Sequence, residues 1–136
     1  MLAFGPFFTM NGQNKVIRKT NVHINYFPNG KIQSIIKTKT AQSAGFNFDS
    51  NFKRNRYREV VFDESGNRIR TIFQKTKISQ AGRDCYLVKR ISTDFFSSGK
   101  KQKKIKERCD RKKTVERHFN PDGKLILKRI IIDKTQ

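Results

Sequence analysis

Tyr26-Phe27-Pro28-Asn29-Gly30-Lys31, Phe62-Asp63-Glu64-Ser65-Gly66-Asn67, Phe95-Phe96-Ser97-Ser98-Gly99-Lys100 and Phe119-Asn120-Pro121-Asp122-Gly123-Lys124 share one layout. An aromatic residue is followed at the fourth place by Gly, then by a polar residue and a renewed strand pattern. Asn-Gly and Asp-Gly are strong signals for two-residue hairpin turns, because such turns need a positive φ that Gly adopts without a Cβ clash. Pro28 and Pro121 fall just ahead of the turn, where a fixed φ helps and no ladder donor is lost. The aromatic closes the incoming strand and is placed to pack across onto the outgoing one. Tyr26, Phe62, Phe95 and Phe119, with Gly30, Gly66, Gly99 and Gly123, are therefore turn-structural residues.

Alternation on both sides of these turns predicts strands. Val22, Ile24 and Tyr26 share one face before the first turn, with His23, Asn25 and Phe27 on the other. Arg58, Val60 and Phe62 alternate with Tyr57, Glu59 and Val61 before the second; Ile69, Thr71 and Phe73 alternate with Arg68, Arg70 and Ile72 after it. Cys85, Leu87 and Ile91 share a side before the third turn, and Val115, Arg117 and Phe119 before the fourth. The final run, Lys124 to Asp133, is apolar on both faces and reads as the most buried strand. Lys100 to Lys113 carries almost no apolar stripe, and its place after a turn favours an exposed strand over a helix. Two looser stretches, Thr40 to Phe52 and Ser79 to Arg83, separate the hairpins.

These signals predict an all-β fold: an antiparallel up-and-down meander of about four hairpins (eight strands), open or partly rolled. A small closed β-barrel is the alternative, since closure would remove exposed edges. Residues 14–136 read as a single hairpin-repeat domain. Residues 1–13 are apolar and uncharged, and read either as an arm tucked against the sheet or as a signal-peptide remnant. The first reading implies a cytoplasmic protein, the second a periplasmic or secreted one. No stretch reaches the ~18 apolar residues needed to span a bilayer as a helix.

In a chain of 136 residues, 31 Lys and Arg face 11 Asp and Glu, a formal net charge of +20. Self-repulsion on that scale is relieved by an anionic partner. Hydrophobic residues make up only 35%, enough for a modest core and too few for a thick two-layer α/β one. Cys85 and Cys109 make one disulfide possible and none required; two free thiols in a β core is the favoured reading. No cofactor or metal is expected, because the two cysteines form no CxxC and His23 and His118 lie too far off for a local zinc motif.

Nothing in the sequence points to an enzyme or to a small-molecule substrate. There is no Gly-x-Ser-x-Gly, no phosphate-cradling loop before a helix and no HExxH. Asp63-Glu64 sits in a turn, where it supplies turn chemistry. The cations are more informative. Lys100, Lys101, Lys103, Lys104, Lys106, Arg108, Arg111, Lys112 and Lys113 form a run broken by only two acids, Glu107 and Asp110. In a strand, alternate residues of this run project a ladder of cations from each face, suited to a phosphate backbone. A second cluster, Lys53, Arg54, Arg56 and Arg58, holds Phe52 and Tyr57 among its cations; those aromatics either stack on unpaired bases or pack into the sheet. Lysine-rich edges also discourage strand-to-strand aggregation.

The turn segments resemble the MORN-variant repeats of bacterial antitoxin-like proteins, with Tyr26 to Ile32 the closest copy and Phe119 to Leu125 next. The copy at Phe62 to Arg68 is similar to the tyrosine–aspartate repeats of secreted shell toxins as well. The resemblance implies a hairpin array serving protein–protein interaction or toxin neutralisation. The copies are spaced unevenly, from Gly30 to Gly66, Gly99 and Gly123, and the chain is basic where a neutraliser of nuclease toxins is expected to be acidic. Two functional expectations result. The first is a non-enzymatic binding or scaffold module that docks a polyanion, RNA or a ribonucleoprotein first, then an acidic protein or an anionic envelope surface. The second is a secreted or envelope-associated interaction protein of the MORN-variant kind. A small barrel carrying an apolar ligand is a distant third.

Overall fold

The computed structural model describes residues 15–44, 52–79, 87–109 and 112–132. They form β1 (Lys15–Tyr26), β2 (Ile32–Ala44), β3 (Phe52–Phe62), β4 (Arg68–Ser79), β5 (Leu87–Phe95), β6 (Lys101–Arg108), β7 (Lys113–Phe119) and β8 (Leu125–Ile132). The strands lie in sequence order in one antiparallel sheet, with β1 and β8 at its two edges. This is the open meander; the closed barrel, and with it the interior for an apolar ligand, is not formed. Residues 1–13 lie outside the described residues, as do most of the two looser stretches. Of those stretches, Thr40–Ala44 belongs to β2, Phe52 to β3 and Ser79 to β4.

Each aromatic-to-glycine segment builds the same turn. Phe27, Asp63, Phe96 and Asn120 donate their amides to the carbonyls of Lys31, Asn67, Lys100 and Lys124, each at 2.8 Å. The glycine amides bond back to the same four residues' carbonyls, for example Gly66 N to Asp63 O at 3.0 Å. The glycines have φ of 87° to 93°, and none of the residues just before them has a positive φ. The loops are therefore three-residue connections, a turn closed by one left-handed glycine, and the two-residue reading is corrected. Pro28 and Pro121 sit inside the turn at its second position, where a fixed φ fits. The register slips by one after each aromatic, pairing Tyr26 with Ile32, Phe62 with Arg68, Phe95 with Lys101 and Phe119 with Leu125.

The expected modest core does not form among the described residues. Among the described residues no hydrophobic side chain is buried, and the buried ones are Ser34, Thr76 and Thr93. Among the described residues no second layer covers the sheet. Central side chains are half-covered only by their same-face neighbours. The reading of the last run as the most buried strand is likewise overturned: β8 is exposed along its whole length, with Ile126 63% exposed. It is an edge strand, and among the described residues no layer faces its apolar residues.

In two of the four turns the side chain at the first position tunes the loop. Asp63 Oδ1 accepts from the amides of Ser65 and Asn67, both at 2.9 Å. Asn120 Oδ1 does the same work for Asp122 and Lys124. The Asn67 amide, helped by the Asn67 side chain and the Ser65 and Gly66 amides, holds the Asp63 carboxyl below its ordinary value against an opposing desolvation. Stability from a depressed carboxyl is complete above the unfolded pKa of ~3.9 and is lost as pH falls through the folded value. Asp63→Asn is expected to keep the neutral-pH stability, as Asn120 does in its own turn, and to remove this acid-side loss. Urea midpoints from pH ~7 down to pH ~2 check it. At Gly66 a Cβ would meet nothing within 4 Å, so Gly66→Ala carries backbone strain alone. It should destabilise the protein by about 1–2 kcal/mol, read from the same titrations at neutral pH.

Candidate polyanion-binding face

Strand register sorts the charges by face. Directly paired residues share a face and successive residues along a strand change face. The four acids within the strands, Glu59, Asp94, Glu107 and Glu116, therefore all fall on one side, here the polar face. On the other, the basic face, no paired position among the described residues holds Asp or Glu. Arg54, Arg56 and Arg58 of β3 stand there, with Lys75 and Lys77 of β4 and Lys104, Lys106 and Arg108 of β6.

One row across this face is a ladder of cations. Lys39 pairs with Arg56, Arg56 with Lys75, Lys75 with Lys89, Lys89 with Arg108, and Arg108 with Lys113. Six successive strands thus each place a cation in the same row. Strands lie ~4.8 Å apart, so the row extends ~24 Å. Thr20 of β1 and Ile132 of β8 close its two ends. A shorter row, Lys104, Arg117 and Lys128, lies nearer the glycine turns in β6–β8. Burial first, then the charges of Lys101, Arg117 and Lys106, hold the Lys104 ammonium below its ordinary pKa.

Phe73 supports the middle of the basic face. The Arg58 guanidinium carbon lies 5.4 Å and the Lys89 ammonium 5.6 Å from its ring centroid. Nearer the turns, Arg68 stacks over Phe95 at 4.2 Å. Cation–π contacts of this kind orient the cations at a gain of about 0.5–1 kcal/mol each at exposed sites. Shallow depressions between the cations, one of about 370 Å³ lined by Arg18, Lys39, Arg54, Arg56 and Lys75 among others, show a corrugated surface rather than a deep cleft.

The sequence candidates divide between the faces. Arg54, Arg56, Arg58, Lys101, Lys104, Lys106, Arg108 and Lys113 lie on the basic face. Lys53 and Lys103 point to the other side. Lys100 and Lys112 lie in turns, where the Lys100 ammonium donates to the Asp122 carbonyl at 3.3 Å. Arg111 lies outside the described residues. The expected cation ladder from each face of the Lys100 to Lys113 run is corrected: β6 sends cations to the basic face but Lys103, Ile105 and Glu107 to the polar one. Tyr57, read beside the arginines, also faces away, half-buried. Its hydroxyl donates to Glu59 Oε1 at 2.7 Å, and burial, then the bond to Glu59 and its charge, push its pKa up to about 12. Phe52 belongs to β3, and its side chain is outside the described set. The members missed from sequence are Lys39, Lys75, Lys89 and Phe73. Their signal was the alternate-residue spacing Lys37-x-Lys39 and Lys75-x-Lys77.

On the polar face, acids pair with local cations. Arg70 Nε donates to Asp94 Oδ1 at 2.7 Å, and Glu116 holds both His118 and Arg129. The His118 hydrogen bond, ahead of the Arg129 charge, keeps the Glu116 carboxyl below its usual range. Among the described residues no group of three or more His, Cys, Asp or Glu gathers to hold a metal, and no helix is long and apolar enough to cross a membrane. Cys109 is disulfide-bonded, which corrects the free-thiol reading; the other cysteine of the sequence, Cys85, lies outside the described residues. Comparison with protein-family models, with curated proteins and with solved structures returns no match.

Like charges directly opposite one another on a sheet are destabilising by a few tenths to about 1 kcal/mol per pair. Lys75, flanked by Arg56 and Lys89, bears two such pairs. Lys75→Thr should therefore raise the melting temperature at low salt, and the gain should shrink in ~0.5 M NaCl, where screening already relieves the row. Thermal melts of both proteins at the two salt concentrations decide it.

Proposed function

We propose that this chain is a non-enzymatic binding module whose basic face docks an extended polyanion, with single-stranded nucleic acid as the first candidate. The observation that carries this reading is the row Lys39, Arg56, Lys75, Lys89, Arg108 and Lys113, set one cation per strand across six strands. A small anion spans two neighbours of that row, whereas a linear polymer lying across the strands engages all of it. Phe73 is already covered by Arg58 and Lys89, so contact runs through the backbone charges with little base selectivity. The resting repulsion within the row is relieved when an anion sits on it, and this favours occupancy.

Neutralising about six phosphates of a single strand predicts that affinity falls roughly 300-fold between ~50 and ~200 mM salt. Fluorescence anisotropy with a labelled RNA of ~20 nucleotides measures this. The double variant Lys75→Thr/Lys89→Thr should lower the slope of log K against log salt by about 1.4. Affinity indifferent to salt would sink the proposal.

A second reading is favoured by the disulfide at Cys109. Disulfides persist in oxidising compartments, which supports a secreted or envelope-associated interaction protein of the MORN-variant kind, with an anionic envelope polymer or an acidic protein against the same face. RNA failing to bind while a sulfated polysaccharide such as heparin binds with the same salt slope would select this reading over the first.

A further inference from the structure

The polar face holds a feature that polyanion docking does not use. Over β2–β5 the sheet forms a hollow of about 620 Å³, within the range of small-molecule sites. Its wall is built in three adjacent rows. Tyr57, Gln74 and Arg90 are paired in line across β3, β4 and β5; Asn55 pairs with Thr76 on one side of them, and Glu59 with Ile72 on the other.

Two polar atoms in this wall have no hydrogen-bond partner although both are shut off from solvent: Asn55 Oδ1, an acceptor, and Arg90 Nε, a donor. Buried polar groups are nearly always bonded, and an unbonded one lowers stability. Here one of each kind lines the same hollow. A modest rotation of either side chain toward the hollow would present its unmatched atom to an occupant.

We infer that this hollow binds an uncharged, hydroxyl-rich ligand, a saccharide chain, separately from the polyanion face. Arg56 also borders the hollow but belongs by register to the basic-face row; the charged residues of the polar face there are Arg90 and Glu59, so a polyanion would meet a repelling carboxylate beside each cation. An apolar ligand would strip water from amides and hydroxyls without replacing their bonds. A sugar hydroxyl both donates and accepts. Asn55 and Arg90 stand two strands apart, so separate hydroxyls of one saccharide chain answer Asn55 Oδ1 and Arg90 Nε, with Gln74 and Thr76 beside them and Ile72 under the ring carbons. Tyr57 stays a protonated donor, its hydroxyl already held by Glu59.

The test is an NMR titration of the full-length, ¹⁵N-labelled protein with malto-, cello-, xylo- and chito-oligosaccharides at ~200 mM salt, which screens the basic face. At least one should move the side-chain amide signals of Asn55 and Gln74, with an affinity that does not change between ~50 and ~200 mM salt. Asn55→Val with Arg90→Met should weaken that binding at least ~10-fold and leave the melting temperature equal or higher, because the two unmatched atoms are gone. The inference is overturned if none of the four saccharides moves those signals or if binding survives in the folded double variant. The wild-type titration stands alone should the variant not fold. Loss of RNA binding has no bearing on this outcome, since the residues changed and read here, Asn55, Gln74 and Arg90, are not members of the cation row.

Discussion

A sheet with no second layer must be held by its backbone ladders. In most domains of this size the hydrophobic effect is the dominant favourable term, yet here no apolar side chain among the described residues is buried. What remains is the hydrogen-bonded pairing of eight strands and the half-burial that each side chain gains from same-face neighbours. Everything else in the molecule follows from this. The turns must set register without help from a core, which accounts for one construction recurring at Gly30, Gly66, Gly99 and Gly123. Among the described residues nothing covers either face, so each is free to carry its own chemistry.

The two faces use that freedom differently. Strand acids are confined to the polar face, where Asp94 and Glu116 are taken up by Arg70, His118 and Arg129. The basic face is left with cations in rows and with Phe73 and Phe95 beneath some of them. Segregation of this kind gives up stabilising cross-strand ion pairs and accepts repulsion between like charges. A fold at such a disadvantage gains from a partner that binds only the folded sheet, through mass action.

The hairpins were legible because their signal is local. An aromatic residue and a glycine four places on fix the turn, and alternation on either side fixes the strands. Arg56 opposite Lys75 follows from the turn at Gly66, within a single hairpin. Lys39 opposite Arg56, and Lys75 opposite Lys89, join different hairpins, and no turn signal fixes those registers; the cation row therefore emerges only in three dimensions. Tyr57 shows the converse. It sits between Arg56 and Arg58 in sequence, but in a strand adjacent residues face opposite ways, so proximity along the chain was the wrong measure. The run Leu125–Ile132 misled for another reason: apolar residues on both faces imply burial only where a second layer exists to cover them.

Connectivity has a consequence for how the molecule comes apart. Each strand makes nearly all its contacts with the strands before and after it in sequence, so the sheet is in effect a one-dimensional chain of coupled hairpins. Such a chain has no single event on which its integrity depends. Loss of β8 leaves the pairing of β1 to β7 untouched, and loss of β1 leaves β2 to β8. The sheet can fray from either edge and zip up again while its middle persists. Amide exchange graded from edge to centre, in place of one global opening, is the behaviour this architecture implies. The middle strands, β3 to β5, are also those where the cation row and the polar hollow lie back to back.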